Sequence, residues 1–415
     1  MNQDPPPLLA RQPILDTNLQ VVAYELLYRP LPPLDQQAQV LSGDQATRDV
    51  MVSAFHDLGI QQVTGGLPAY INFTEHWLQN PPLLPPDALV AEVIEYTEAT
   101  APNIEALQRL RHYGYRVALD DFSATEAQTL MLPLADIVKV DLRLIDDLQQ
   151  VEILFKRHFD ERQIWLAEKV ENHEEFEFCR ELGFSLFQGY FFDRPKPLFG
   201  KRLADNKVAV LQLLQVLNQP DVNIDSVVTL LHSEPQLSFK LLQLVNSAAV
   251  GCVTTISSIR HALVLVGLDR IRSWTNILAL GRLDDKPMAL REQALVRAHC
   301  CQLLAERAGL EADAAFTLGL FSLLDAFTDL PMSDICQRLR FSHELSQALL
   351  QQQGHYGWLL RTLHCIERGA WDQLEWPLLQ GHTIDRAVLH HSYRQAIDDT
   401  RALLLQLGDI NPDNQ

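Results

Sequence analysis

The chain is poor in the residues that would carry it out of a cell or into a membrane. Six cysteines among 415 residues, with no regular Cys-x-x-Cys framework, exclude a secreted disulfide scaffold and predict reduced interior thiols. No run approaches the roughly 18 to 20 apolar residues that a membrane span needs. The amino terminus, MNQDPPPLLARQP, has neither a basic leader nor a signal-like apolar segment, so we expect a cytoplasmic protein without membrane insertion. Positive charge is also scarce. Against 53 Asp and Glu stand 34 Lys and Arg, a formal charge of -19, which argues against binding to nucleic acid polymers or anionic lipid. A basic pocket for a small anion remains compatible with that balance. Glycine (18) and proline (22) are too few for a collagenous or low-complexity chain.

What is present is enough apolar sequence to build cores. Hydrophobic residues make up 47% and charged residues 21%, and the length predicts two or three domains. From residue 10 to about 195, short apolar runs alternate with amphipathic stretches. VVAYELLYR, AYINFT, LVAEVIE, RVALDDF, DIVKVD, IWLAEKV and SLFQGYFF read as buried strands. GDQATRDVMVSAFHDLG and APNIEALQRLRHYG read as the helices between them. Serial strands with crossovers predict a parallel barrel, compact beside the roughly 250 residues usual for one, with short loops or an irregular strand order. RPKPLFGKRL interrupts the alternation. Beyond it, DNKVAVLQLLQVLNQP, NIDSVVTLLHSE, LSFKLLQLVNSAA and SSIRHALVLVGL space their apolar residues three and four apart, as packed helices do. The final DINPDNQ has little to bury and is expected to fray.

The first half places acids at strand ends. Glu25, Glu92, Asp120, Asp121 and Glu168, together with Asn72, sit in or just after apolar runs. A carboxylate beside a buried strand must be paired, hydrogen-bonded or metal-bound to offset desolvation. In a parallel barrel these ends converge on the face where active sites are built. Such an oxygen-rich set suits hard divalent cations, Mg2+ or Mn2+, and two neighbouring ions would activate water and stabilise phosphoryl oxygens. Lys139 and Gln188 add polar contacts at the same mouth, and Arg29 stands ready to meet a phosphate. The alternative for each acid is an ordinary salt bridge or a helix cap.

In order along the chain, RQPILD, YELLYR, INF, AEVIE, ALDDF, VKVD, AEKVE and QGYFFDRP resemble the EAL family of cyclic-di-GMP phosphodiesterases. That resemblance implies an α/β modified TIM barrel over residues 8–198. It implies hydrolysis of one phosphodiester bond of cyclic di-GMP to give pGpG with two divalent cations. By the same resemblance Glu25, Asn72, Glu92 and Asp120 hold one ion, and Asp120, Asp121 and Glu168 hold the second. Glu168 assists deprotonation of water, Lys139 positions water, Arg29 meets a phosphate, and Glu171 and Gln188 support the site. The chain departs from the family pattern in three places. The signature Glu-Ala-Leu is Glu25-Leu26-Leu27 here. The loop Asp121-Phe122-Ser123-Ala124-Thr125-Glu126 replaces DDFGTGYSS, losing both loop glycines and shortening the interval to Lys139 by two residues. Lys169 stands where the family usually has the glycine of AEGVE. In active members the altered loop couples metal binding to dimer formation, so the readings open at this stage are a phosphodiesterase, a cyclic di-GMP sensor without hydrolysis, and an interaction scaffold. A phosphodiesterase for another substrate also fits the carboxylates.

IDSVVTLLHSEPQLSFKLLQLVNSAAVG and TTISSIRHALVLVGLDRIRSW, with Asn246-Ser247 and Gly267-Leu268, resemble the HDOD family, an all-α relative of the HD phosphohydrolases. This implies a helical regulatory or interaction domain over residues 199–400 with an unidentified protein partner. Leu324-Asp325 stands where an HD enzyme has His-Asp, so no HD metallochemistry is expected. His299-Cys300-Cys301 point in different directions on a helix and read as packing, and His390-His391 lacks a ligand constellation. The tryptophans at 358, 371 and 376 read as dispersed packing, and IRHALVLVGLDRIRSW has too few polar residues for a DNA-reading helix-turn-helix. Self-association of the barrel is expected from the resemblance.

Overall fold

The computed structural model describes residues 8–29, 63–82, 85–194, 205–219, 222, 224–232, 235–246, 258–283, 286–339, 341–376, 378–379 and 382–407. The expected helix in 43–59, the RPKPLFGKRL interruption beyond Arg194, Ser247, the side chain of Arg29 and the DINPDNQ tail lie outside the described residues. Packing separates the described chain into two compact units, one running to Phe192 and including 365–373, the other comprising 193–364 with 374–407.

The first unit is a closed eight-stranded barrel in sequential order. Its strands are β1 (Leu8–Asp16), β2 (Val21–Arg29), β3 (Ala69–Phe73), β4 (Leu89–Val93), β5 (Arg116–Leu119), β6 (Ile137–Asp141), β7 (Ile164–Val170) and β8 (Leu186–Gly189). Helices α1 (Glu75–Gln79), α2 (Ala101–His112), α3 (Glu126–Met131), α4 (Leu148–His158) and α5 (His173–Leu182) lie between later strands. Each of β3 to β8 runs parallel to its predecessor, as the alternation predicts.

The expected parallel closure needs one correction, because β1 is antiparallel to both β2 and β8. The connection explains it. Only four residues separate Asp16 from Val21, too few for a crossover, and the Asp16 carboxylate accepts from the backbone N–H of Asn18 and Gln20 at 2.8 Å each, closing a hairpin turn. β1 is also a strand that periodicity misses, since Arg11, Gln12 and Pro13 break its apolar run.

The other unit is built of helices. They include α6 (Asp205–Leu217), α7 (Ile224–His232), α8 (Pro235–Val245), α9 (Ile259–Val266), α10 (Leu268–Leu280), α11 (Met288–Ala308), α12 (Ala312–Phe321) and α13 (Leu324–Thr328), and the last described helix spans Arg386–Leu407. A two-stranded ribbon, Leu378–Leu379 against His382–Thr383, is a small departure from the all-α expectation. Cys300 and Cys301 are buried within α11, and His299 lies within hydrogen-bonding distance of Thr400, Nδ1 to Oγ1 3.0 Å. Trp358 and Trp371 are buried. Among the described residues no helix is long and apolar enough to cross a membrane.

Candidate active site

The barrel interior is layered, and the layers place the site. Ile14, Ala23, Tyr70, Val90, Ala118, Ile137 and Leu166, one from each of β1 to β7, form a buried apolar cluster with Leu186 of β8 packed against it. Side chains on a strand return to the same face every second residue. One step of two towards the carboxyl ends therefore brings Glu25, Asn72, Glu92, Asp120, Lys139, Glu168 and Gln188 into the next interior layer. On antiparallel β1 the equivalent step runs backwards, to Gln12, which stands opposite Glu25 in register. An apolar plug thus supports a ring made wholly of polar groups, at the end of the barrel where the connections leading to the following helices begin.

Lys139 is the hub of that ring. Its ammonium lies 2.5 Å from Glu92 Oε1, 2.8 Å from Asp120 Oδ1, 2.9 Å from Glu168 Oε1 and 3.5 Å from Glu25 Oε2. Four carboxylates around one ammonium carry an excess of three negative charges when all are ionised. Burial pushes the carboxyls of Glu92 and Glu168 well above the usual range, and the Lys139 ammonium pulls against that shift. Burial alone would lower Lys139, but Asp120, Glu168, Glu25 and Glu92 hold it well above its ordinary value. Both Glu92 oxygens are enclosed, and Oε1 has the Lys139 ammonium as its charge partner. Enclosed carboxylate oxygens with surplus negative charge form the donor set of hard divalent cations, and these residues fit such ions.

Gln188 is buried, and its Nε2 donates to Glu25 Oε2 at 2.6 Å and to Gln12 Oε1 at 2.9 Å. It therefore supports Glu25 through Nε2, while its Oε1 is enclosed without a hydrogen-bond partner. Asn72 stands opposite Glu92 in the β3–β4 register. Glu171 lies away from the ring: its side chain is 41% exposed, its Oε1 is 3.9 Å from Arg143 Nε, and its backbone N–H donates to Glu175 Oε2 at 2.7 Å.

Among the described residues, the three acids that bring ligand oxygens within 4.8 Å of one another are Glu95, Asp120 and Asp121. Glu168 is instead drawn to Lys139. Burial, with Asp120 beside it, pushes the Asp121 carboxyl up to about 6.

The loop after Asp120 shows how the chain does without its glycines. Asp121 (φ 44°) and Ala124 (φ 58°) occupy the left-handed region that glycine would enter at less cost. Gln128, buried in α3, braces them. Its Oε1 accepts from the backbone N–H of Ser123 at 3.0 Å and of Thr125 at 3.3 Å, and its Nε2 donates to the carbonyls of Asp120 at 3.3 Å and Asp121 at 3.1 Å. Thr125 and Gln128 also form the capping box that starts α3. Lys169 is left-handed too, at φ 52°, and its ammonium pairs with Asp141 Oδ2.

Gln12, Glu95 and Gln128 are the residues that sequence reasoning missed. Glu95 was readable as a second acid in AEVIE. Gln12 needed the direction of β1, and Gln128 needed the folded loop.

A closed barrel with one interior polar layer at the carboxyl ends of its parallel strands is the class of protein that fold and site define. The EAL domain model matches residues 38–195, beginning after the strand that carries Glu25, and the HDOD domain model matches 204–339. The chain is 33% identical over 405 residues to the uncharacterized protein YuxH of Bacillus subtilis, covering 94% of this chain and 97% of that one. It is 33% identical over 378 residues to the cyclic di-GMP phosphodiesterase CdgJ of Vibrio cholerae, covering 90% and 87%. The crystal structure of an EAL domain protein from Listeria monocytogenes is 26% identical, with a TM-score of 0.38, over 46% of this chain and 90% of that one. The chain belongs to the EAL family, with an HDOD domain following the barrel.

Proposed function

We propose that this is a cytoplasmic cyclic di-GMP signalling protein whose barrel, residues 8–198, hydrolyses one phosphodiester bond of cyclic di-GMP to give pGpG. Residues 199–400 form the HDOD regulatory or output module, which recognises a protein partner. The observation that carries the reading is the polar ring: Glu25, Glu92, Asp120 and Glu168 around Lys139, in one layer above an apolar plug. The similarity to a cyclic di-GMP phosphodiesterase along nearly the whole chain supports the substrate.

In this reading Glu25, Asn72, Glu92 and Asp120 hold one divalent cation, Mg2+ or Mn2+, and Asp120, Asp121 and Glu168 hold another. When bound, such ions lower the pKa of water and neutralise phosphoryl oxygens. The chain's own residues do the rest. Gln188, fixed by Gln12, holds Glu25 in its orientation. Lys139 would orient water, and Glu168 would accept the proton that water loses. Arg29 meets a phosphate, and Glu171 acts indirectly, through the segment that follows β7.

One observation favours a second reading, a sensor that binds cyclic di-GMP without cleaving it: Lys169 occupies the left-handed position beside Glu168 and holds Asp141. Chromatography of cyclic di-GMP incubated with the full-length protein and Mn2+ separates the two. Production of pGpG that is abolished in Glu25→Ala and Glu168→Ala supports hydrolysis. Calorimetric binding without product supports the sensor, and neither in folded protein overturns both.

A further inference from the structure

Residues 365–373 pack with the barrel, far along the chain from its last strand. They comprise the end of the helix Gly354–Glu367, a left-handed Gly369 (φ 62°) and the short turn Trp371–Gln373. The helix closes there because the backbone N–H groups of Gly369 and Ala370 turn back to the carbonyls of Ile366 at 3.0 Å and Cys365 at 2.8 Å, a motif that needs positive φ. The chain on either side of the segment, to 364 and from 374, belongs to the helical unit.

The segment meets the barrel at two strands. Tyr190, directly after β8, donates its hydroxyl to the Glu367 carbonyl at 2.7 Å, and the Arg368 guanidinium lies 5.1 Å from the centre of its ring. On β2, a Cβ placed on Gly369 would stand 3.5 Å from Leu27 Cδ1, an ordinary packing distance. Tyr190 is two residues beyond Gln188, and Leu27 is two beyond Glu25. β8 and β2 flank β1 in the barrel, so the segment is tied on both sides of the strand that carries Gln12. Those three strands hold the Gln12–Gln188–Glu25 hydrogen bonds. The sheet itself supports this corner thinly. Among the described residues, β8 pairs with β1 only at Leu186 and Phe187, one residue short of Gln188, and β2 pairs with β3 only at Tyr24 and Glu25.

We propose that residues 365–373 are a strap across this corner of the barrel, and that Tyr190 is the positioning residue through which the strap holds Gln188 against Glu25 and so sets Glu25 for a divalent cation. The inference rests on the metal-binding reading above. Its consequence is that metal affinity in the barrel depends on a segment whose flanking chain belongs to the helical unit.

Calorimetric titration of Mn2+ into chelator-treated full-length protein tests it, together with amide exchange followed by mass spectrometry in the metal-free state. Tyr190→Phe keeps the ring and removes only the hydroxyl. It weakens Mn2+ binding by about three- to tenfold, the range that one hydrogen bond can transmit, and speeds exchange over residues 25–27 and at Gln188. Arg368→Met, altered at an exposed side chain, shifts both readouts in the same direction and repeats the test should Tyr190→Phe fail to fold. Wild-type Mn2+ affinity in both variants, whether or not the thermal midpoint falls, makes the contact merely structural and overturns the proposal. Wild-type exchange in both overturns it as well, and in either case the metal reading stands. A folded wild type that binds no Mn2+ overturns the metal reading and this inference with it.

Discussion

Lys139 is held by charge that it cannot fully balance, and this makes it the residue on which the metal-free barrel depends. Removing one member of a buried ionic cluster leaves the others uncompensated, at about 3–5 kcal/mol. Lys139→Met is therefore expected to destabilise the metal-free protein by that amount in urea denaturation at pH 7.5. Added Mn2+ should recover much of the loss, since a divalent ion supplies the missing charge to Glu25, Glu92, Asp120 and Glu168. A variant as stable as the wild type in chelator would mean that the carboxylates are not ionised around Lys139. Glu25, Glu92, Asp120 and Glu168 were legible in the sequence because a carboxylate in an apolar strand is conspicuous. That they meet at one ammonium was not, because register and closure decide which interior side chains share a layer.

At the scale of elements, two local devices hold the mouth of the barrel. The first is the close approach of β7 and β8. Gly189 has φ 149°, and a Cβ there would lie 2.1 Å from the Val170 carbonyl oxygen. Gly189→Ala should cost about 3 kcal/mol or more and displace Gln188, seen as a large fall in thermal midpoint with loss of near-ultraviolet dichroism. A variant that melts like the wild type would sink this view of the bulge.

The second device is Gln128. Gln128→Ala removes bonds to four backbone groups of the loop and is expected to lower stability by about 1–3 kcal/mol, with faster amide exchange at Ser123 and Thr125 as the specific readout. Unchanged exchange would assign the loop's conformation to something else. The glycine loss was visible in the sequence. Its remedy was not, because a glutamine in a helical stretch reads as surface until the loop folds onto it.

Among the described residues of the helical unit, no three His, Cys, Asp or Glu side chains bring ligand atoms within 4.8 Å of one another. Leu324-Asp325 opens α13, and burial raises the Asp325 carboxyl, with no adjacent histidine in the sequence to complete an HD pair.

The helical unit instead carries an acid-sensitive packing element. Burial pulls the His299 imidazole down to about 4 from 6.5. The folded state thus binds fewer protons there than the unfolded state. Stability from this group is complete above 6.5 and is lost as pH falls towards 4, on the order of 1–2 kcal/mol between pH 6.5 and 5. His299→Gln should flatten that part of the pH–stability curve measured by urea denaturation, and parallel curves would rule His299 out as the cause. Divalent ions should act in the opposite sense: Mn2+ at a hundred times its dissociation constant stabilises the protein by about 2.7 kcal/mol, reversibly by chelator. No shift in thermal midpoint would argue against folded-state metal binding.

The sequence by itself determined which elements form and which chemistry is available. Short apolar runs made the parallel strands, three-and-four spacing made the helices beyond residue 205, and carboxylates at strand ends announced an oxygen-rich site. These are local properties, fixed by how side chains alternate on a strand or repeat around a helix. Only the tertiary structure decided that β1 runs antiparallel and so presents Gln12, that Gln188 turns inward to Glu25, that Glu171 stays out of the ring, and that Lys169 takes Asp141. Each of those depends on which residues a closed sheet brings face to face across long stretches of chain, and on the need of every buried charge for a partner that no local pattern specifies.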